Sequence, residues 1–178
     1  MAATEFITDR QIYERVLQER VPKASDFIWI GTSDIKDLHV DSNRRMVPFL
    51  KVLSDLIKRQ VSIRLIHAKE PGKRFRDDFD KCPNLIIGME RLLCPRVHFK
   101  CVVIDGRFAY SGSANLTGAG MGAKSSNRRN FESGIITTDL EMIEAIMNQF
   151  DAVWMGQFCP ACQRKQFCAD YKDILNPS

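Results

Sequence analysis

Val97 to Thr117 reads V-H-F-K-C-V-V-I-D-G-R-F-A-Y-S-G-S-A-N-L-T. Its first half has the apolar content of a buried strand: Phe99, Cys101, Val102, Val103 and Ile104. Asp105-Gly106 then predicts a hairpin turn, because both central positions of a two-residue turn want positive φ. Arg107 to Tyr110 returns as a second strand. Residues two apart on a strand share a face, so His98 and Lys100 project side by side. The small-residue loop Ser111-Gly112-Ser113-Ala114-Asn115 brings a hydroxyl, an amide and backbone donors to the same edge. An imidazole, an ammonium, an amide and a hydroxyl together suit a phosphate oxyanion better than a carbonyl or a metal.

This pattern resembles the phospholipase D superfamily, whose H-x-K-x4-D motif is followed by G-S-x-N. The matching residues are His98, Lys100 and Asp105, then Gly112-Ser113-Ala114-Asn115. Glu132, in Asn130-Phe131-Glu132-Ser133-Gly134, matches the family's downstream acid. The resemblance covers about residues 5 to 155. It implies an α/β fold: a mixed central sheet between helical layers, with His98 and Lys100 at the sheet's edge.

The resemblance also implies phosphodiester cleavage in two steps. His98 attacks phosphorus and becomes a phosphohistidine, splitting one hard displacement into two easier ones. A second histidine protonates the leaving oxygen and then activates water. Lys100, Asn115 and the Ser113 hydroxyl hold the non-bridging oxygens. Glu132 accepts from the far nitrogen of His98 and fixes its tautomer. Asp105 either orients the constellation or simply makes the turn. No cofactor is required for catalysis, because cationic side chains occupy the place of a divalent metal. The chemistry needs two histidines, and neither His39 nor His67 opens an H-x-K-x4-D pattern: His67-Ala68-Lys69 is followed by Arg74 where the motif has aspartate. Two copies are expected to meet in a two-fold homodimer. A heteromeric partner or an inactive chain are the alternatives.

The chain has 178 residues, enough for one domain with a substantial core. Apolar residues make up 44% and charged residues 27%, as in ordinary globular proteins. The net charge of +4 permits a polyanionic partner without requiring one. No apolar run approaches a membrane span, so no stable membrane association is expected. The N-terminal Met1-Ala-Ala-Thr-Glu-Phe shows no secretory signal. A cytoplasmic location is therefore expected. In such a reducing compartment six cysteines argue for metal binding or plain burial over disulfides.

Outward from the motif, Thr8-Asp9-Arg10-Gln11 reads as a capping box opening a helix with Ile12, Val16 and Leu17 on its apolar stripe. Phe27-Ile28-Trp29-Ile30-Gly31 is a short strand buried on both faces. Lys36 to Arg45 reads as a polar loop. Pro48 to Arg59 has helical spacing, and Val61 to Ala68 is the next strand, ending at His67, which reads as a half-buried structural histidine. The charged stretch to Asp80 reads as a turn and short helix. Leu85-Ile86-Ile87 reads as the start of another strand. Gly118 to Asn127 reads as a mobile loop beside the site. Lys124, Arg128 and Arg129 there fit a nucleic-acid backbone, or else an ordinary solvated loop. Phe131 to Thr137 is the next strand. Thr138-Asp139-Leu140-Glu141 reads as a second capping box, opening a helix with Leu140, Ile143, Ile146, Met147, Phe150, Val153 and Trp154 inward.

Residues 1–155 form the expected phosphodiesterase domain and 156–178 a small Cys-rich C-terminal extension. Cys159-Pro160-Ala161-Cys162 has metal-knuckle spacing, and Cys168 offers a third thiolate. Cys94 is the preferred fourth ligand, with Cys82 as alternative; Cys101 reads as core. Four thiolates suit structural zinc; an iron–sulfur cluster and free thiols are the alternatives. A tail with little apolar content needs such a staple to dock.

Three functions stay open. The preferred one is a DNA or RNA phosphodiesterase, a nuclease. The second is a phosphatidyl hydrolase or transferase, which would want an apolar entry surface. The third is a non-catalytic nucleic-acid-binding module, which has no use for a correctly spaced nucleophile.

Overall fold

A computed structural model describes residues 3–36, 38–42 and 44–170. Its centre is a seven-stranded mixed sheet. In chain order the strands are β1 (Thr4–Thr8), β2 (Phe27–Thr32), β5 (Ser62–His67), β6 (Met89–Leu93), β7 (Lys100–Ile104), β8 (Phe108–Gly112) and β9 (Ser133–Thr137). They lie in the order β1-β9-β8-β7-β2-β5-β6. The β2, β5 and β6 strands run parallel, and the other neighbouring pairs are antiparallel.

Helices cover both faces. On one face lie a short helix α1 (Arg10–Ile12), continuing as a π-helix over Tyr13–Gln18, together with α2 (Phe49–Lys58), α3 (Lys73–Asp80) and α4 (Pro83–Gly88). Ile12, Val16, Leu17, Leu53 and Leu56 pack there with Ile28, Ile30, Ile63, Leu65, Val102 and Ile104. On the other face lies α5 (Leu140–Trp154), meeting Cys101, Val103 and Ala109. The continuous apolar run of β7 thus reflects burial on both faces. Phe150 is fully buried between Trp29, 5.0 Å away, and Trp154, 5.9 Å away. Truncating such a side chain costs about 3–5 kcal/mol. Cys101 is buried as expected, and burial pushes its thiol up to about 12.

Several local expectations need correction. The polar stretch after Lys36 holds a two-stranded hairpin, β3 (His39–Ser42) with β4 (Arg45–Pro48); Val40 alone in β3 is buried. Leu85-Ile86-Ile87 lies in α4 instead of a strand: Pro83 takes the first helical turn, Leu85 is buried, and Ile86 and Ile87 face outward. Thr4–Thr8 is an edge strand the sequence reading missed. The first capping box forms only in its backward half, Thr8 N–H donating to Gln11 Oε1 at 3.0 Å. At α5 the cap is Asp139, accepting from Met142 N–H at 3.0 Å, and Leu140 is exposed instead of inward. Phe131 is also exposed, ahead of β9. The loop after Gly118 is pinned by Met121, which is buried, and by Arg10 donating to the Gly122 and Ala123 carbonyls at 3.3 Å. Residues 171–178 of the tail lie outside the described residues. Among the described residues, no helix is long and apolar enough to cross a membrane.

Candidate active site

The Asp-Gly turn forms as the sequence demands, with φ of +54 at Asp105 and +62 at Gly106. It joins β7 to β8 and so fixes which groups meet at the hairpin's far end. Lys100 pairs with Gly112, and Gly112 with Gly134, across three strands. A Cβ at Gly112 would overlap the Ser133 carbonyl and the Tyr110 hydroxyl, so this row is open only because both positions lack side chains. The start of β7, the end of β8, the start of β9 and the end of β2 therefore converge at one end of the sheet.

His98 is exposed at this end, and Lys100 is 7% exposed. Lys100 Nζ lies 3.1 Å from His98 Nδ1 and 3.4 Å from Nε2, and donates to the His98 carbonyl at 2.6 Å. Burial pushes the Lys100 ammonium below its ordinary value, opposed by nearby Glu132. The pair thus combines a solvent-accessible imidazole with a cation held behind it. Such an arrangement can serve as a nucleophile beside an electrostatic clamp for a developing oxyanion.

Asn115 sits opposite, on the loop after β8. Its Oδ1 accepts from Ser33 Oγ at 2.8 Å, Asp34 N–H at 3.1 Å and Ser33 N–H at 3.2 Å. Backbone donors require an oxygen there, so the amide NH2 is the end left to meet a ligand. Sequence reasoning missed Thr32, Ser33 and Asp34 as the group holding Asn115. The signal was their small hydroxyl and Asx chemistry just past a strand.

Ser113 and Glu132 are brought together, but differently from expectation. The Ser113 hydroxyl donates to Glu132 Oε2 and accepts from Ser133 N–H at 3.1 Å. Glu132 Oε1 accepts from Asn130 Nδ2 at 3.0 Å. The expected Glu132–His98 bond is thus replaced by a Ser113–Glu132–Asn130 chain, because the carboxylate precedes β9 and meets the β8 loop first. Asp9 supports it from just past the edge strand: its N–H donates to the Glu132 carbonyl at 2.9 Å and its Oδ1 accepts the Glu132 N–H at 2.8 Å. Asp9 has φ of +48, a strained position serving the site.

Asp105 is placed elsewhere. It lies at the opposite end of β7, where its carboxylate accepts from Ser25 N–H, Asp26 N–H and Phe27 N–H, each at 2.9 Å, and from Ser25 Oγ at 3.0 Å. Of the two roles left open for it, the geometry fits the structural one. His67 is buried, its Nδ1 2.8 Å from the Lys69 carbonyl, and burial lowers its pKa.

Beside Asn115 a polar cavity of about 230 Å³ is lined by Lys36, Thr117, Lys124 and Asn130 among others. Of the three basic loop residues, Lys124 reaches this cavity, Arg128 is exposed and Arg129 is half-buried. Cys94, Cys159, Cys162 and Cys168 line a different cavity, on the α5 face behind His98, while Cys82 is buried in the main core.

Fold and site together define a protein with the phosphodiesterase architecture inferred from the motif. Residues 17–154 match the family described as cardiolipin synthase, PLD-like domain. The chain belongs to the phospholipase D superfamily. Among solved structures it is similar in fold to NucT from Helicobacter pylori, at 15% identity and a TM-score of 0.63, covering 85% of this chain and 94% of that one. It is also similar to a phospholipase D family member, Nuc from Salmonella typhimurium, at 14% identity and a TM-score of 0.60, covering 86% and 95%. TrmBL2, an archaeal chromatin protein, matches at 12% identity and a TM-score of 0.57, covering 85% and 52%. No curated protein matches the chain significantly.

Proposed function

We propose that this chain is a metal-independent nuclease, cleaving a nucleic-acid phosphodiester through a phosphohistidine on His98. The observation that carries the reading is the exposed His98 imidazole lying against the buried Lys100 ammonium. His98 forms a bond to phosphorus as the ester oxygen leaves with a proton from a second histidine. Water, deprotonated by that second histidine, then displaces His98 and releases the phosphate ester. Lys100 and the Asn115 amide stabilise the non-bridging oxygens. The second histidine is His98 of a second copy, so the working unit is a homodimer. Lys36 and Lys124 at the polar cavity give a phosphate backbone a cationic path. Phe131, 96% exposed and adjacent in chain to Glu132, offers a base a face to stack on.

The test is cleavage of labelled single- and double-stranded DNA and RNA, and of phosphatidyl vesicles, in excess EDTA, with protein-bound metal quantified in each sample. Cleavage of nucleic acid that His98→Ala abolishes, by roughly 10⁴-fold or more, supports the proposal. Adding His98→Ala chains to wild type should poison a shared site. Cleavage of vesicles alone would establish the phosphatidyl reading, which the family's description favours. Binding without cleavage would establish the non-catalytic one; TrmBL2, a neighbour in fold, is described as DNA-binding.

A further inference from the structure

The α5 face holds a second cluster of chemistry that the phosphodiester reading does not use. A cavity of about 280 Å³ lies between α5, the segment Cys94–Phe99 and the C-terminal tail. Four of the six cysteines line it: Cys94, Cys159, Cys162 and Cys168. Cys82 and Cys101 are buried elsewhere in apolar packing. We propose that these four thiolates bind a zinc(II) ion that staples the tail to the segment leading into His98. The proposal is independent of what His98 does.

Three local features support it. Cys159-Pro160-Ala161-Cys162 turns on itself, Cys162 N–H donating to the Cys159 carbonyl at 3.1 Å. Arg164 N–H, two residues on, donates to Cys162 Sγ at 3.4 Å, which orients a sulfur and stabilises its thiolate. Gly156 has φ of +69, and a Cβ there would stand 3.3 Å from Cys159 Sγ, so the tail's entry is shaped around that sulfur. The other two sulfurs are brought in by the docking of the tail's end on Leu93. The Asp170 carboxylate accepts the Leu93 N–H at 2.6 Å, and Cys168 Sγ lies 3.4 Å from the Leu93 carbonyl, to which its thiol donates until zinc binding releases that proton to solvent. Cys94 is the next residue.

Charge also fits. Four thiolates around one divalent ion leave excess negative charge, and Arg96, Arg164 and Lys165 line the same cavity. Among the described residues no three Cys, His, Asp or Glu side chains converge closely enough to hold an ion as placed. Binding therefore draws the four half-buried sulfurs across the cavity to Zn–S distances of about 2.3 Å. All four ligands are soft sulfur, the donor set for zinc or iron and not for magnesium or calcium. A closed set of four leaves no open position for substrate, so the ion is structural.

The consequence reaches His98 through the backbone. Val97 N–H donates to the Cys94 carbonyl at 3.0 Å, a turn that begins on a proposed ligand and ends beside the histidine. Val97 and Phe99, the chain neighbours of His98, both line the cavity.

The experiment is elemental analysis and native mass spectrometry of the full chain, with alkylation before and after metal removal. About one zinc per chain is expected. Cys94, Cys159, Cys162 and Cys168 should resist alkylation until zinc is removed, and amide exchange at Val97 should rise then. Cys94→Ser and Cys162→Ser should each lose zinc at a chelator concentration that Cys82→Ser withstands. The proposal is overturned by protein that neither contains zinc nor takes it up on titration, by stoichiometric iron with sulfide absorption, or by Cys94→Ser holding zinc as tightly as wild type.

Discussion

The two ends of the β7–β8 hairpin are built on opposite principles. At the turn, the Asp105 carboxylate is saturated by three backbone N–H groups and a hydroxyl. Nothing there is left to meet a ligand. At the other end, His98 is exposed, Lys100 is a buried cation, and Asn115 turns its side-chain oxygen to the protein. Polar groups at the turn complete a fold; those at the other end form the site proposed for substrate. On that proposal one sequence motif divides its residues between chemistry and architecture. Its histidine and lysine fall at one end of a strand and its aspartate at the other.

Substitutions can break or sharpen this contrast. The largest effect is expected from Lys100→Met, which keeps the buried stem and removes the charge. It should lower the cleavage rate about 10²–10³-fold while leaving urea stability near wild type. Equal losses of rate and stability would make Lys100 a fold residue like Asp105. Asp105→Ala should do the reverse, costing about 2–3 kcal/mol in urea denaturation because charged hydrogen bonds are lost and donors are left unpaired. Activity per folded molecule should persist, and its loss without destabilisation would return Asp105 to the catalytic set.

The same carboxylate carries a pH signature. Partial burial acts to raise the Asp105 pKa, but the N–H groups of Asp26, Phe27 and Ser25 with the Ser25 hydroxyl outweigh it, and the pKa is lowered. A depressed folded pKa gives stability that is full above the unfolded value of about 3.9 and is lost as pH falls through the folded one. Acid titration of wild type should therefore show a component that Asp105→Ala lacks. The smallest effect belongs to the rim. Replacing Lys124, Arg128 and Arg129 by Ala should weaken nucleic-acid binding and reduce the salt slope by about one per lost phosphate contact, without changing the cleavage step.

The hairpin was legible because Asp-Gly states its own backbone conformation, and β2 was legible because a strand buried on two faces shows as an unbroken apolar run. The residue types of the site were legible for the same reason: they ride on that hairpin at fixed spacing. Their partners were not. Glu132 was assigned to His98, yet strand register, which no local pattern encodes, delivers it to Ser113. Short elements failed where too few residues reveal a period: Leu85-Ile86-Ile87 is equally apolar as helix or strand, and only Pro83 points to the helix. The edge strand β1 exposes most of its side chains and the β3–β4 pair buries only Val40, so they leave little hydrophobic signal. Leu140 shows the converse, an apolar residue placed outward at a helix start.

β2 is held at one extremity by the turn of the β7–β8 hairpin and at the other by the loop that follows it. Asp105 grips the backbone at Ser25–Phe27, and Asn115 grips it at Ser33 and Asp34. Mechanically this is a beam on two fixed supports. A strand anchored at one end can fray from the other, residue by residue; a strand anchored at both has no free end from which to begin. Lys100 lies on β7 and Asn115 grips the chain just past the end of β2, so the gap between them is set by the pairing of those two strands.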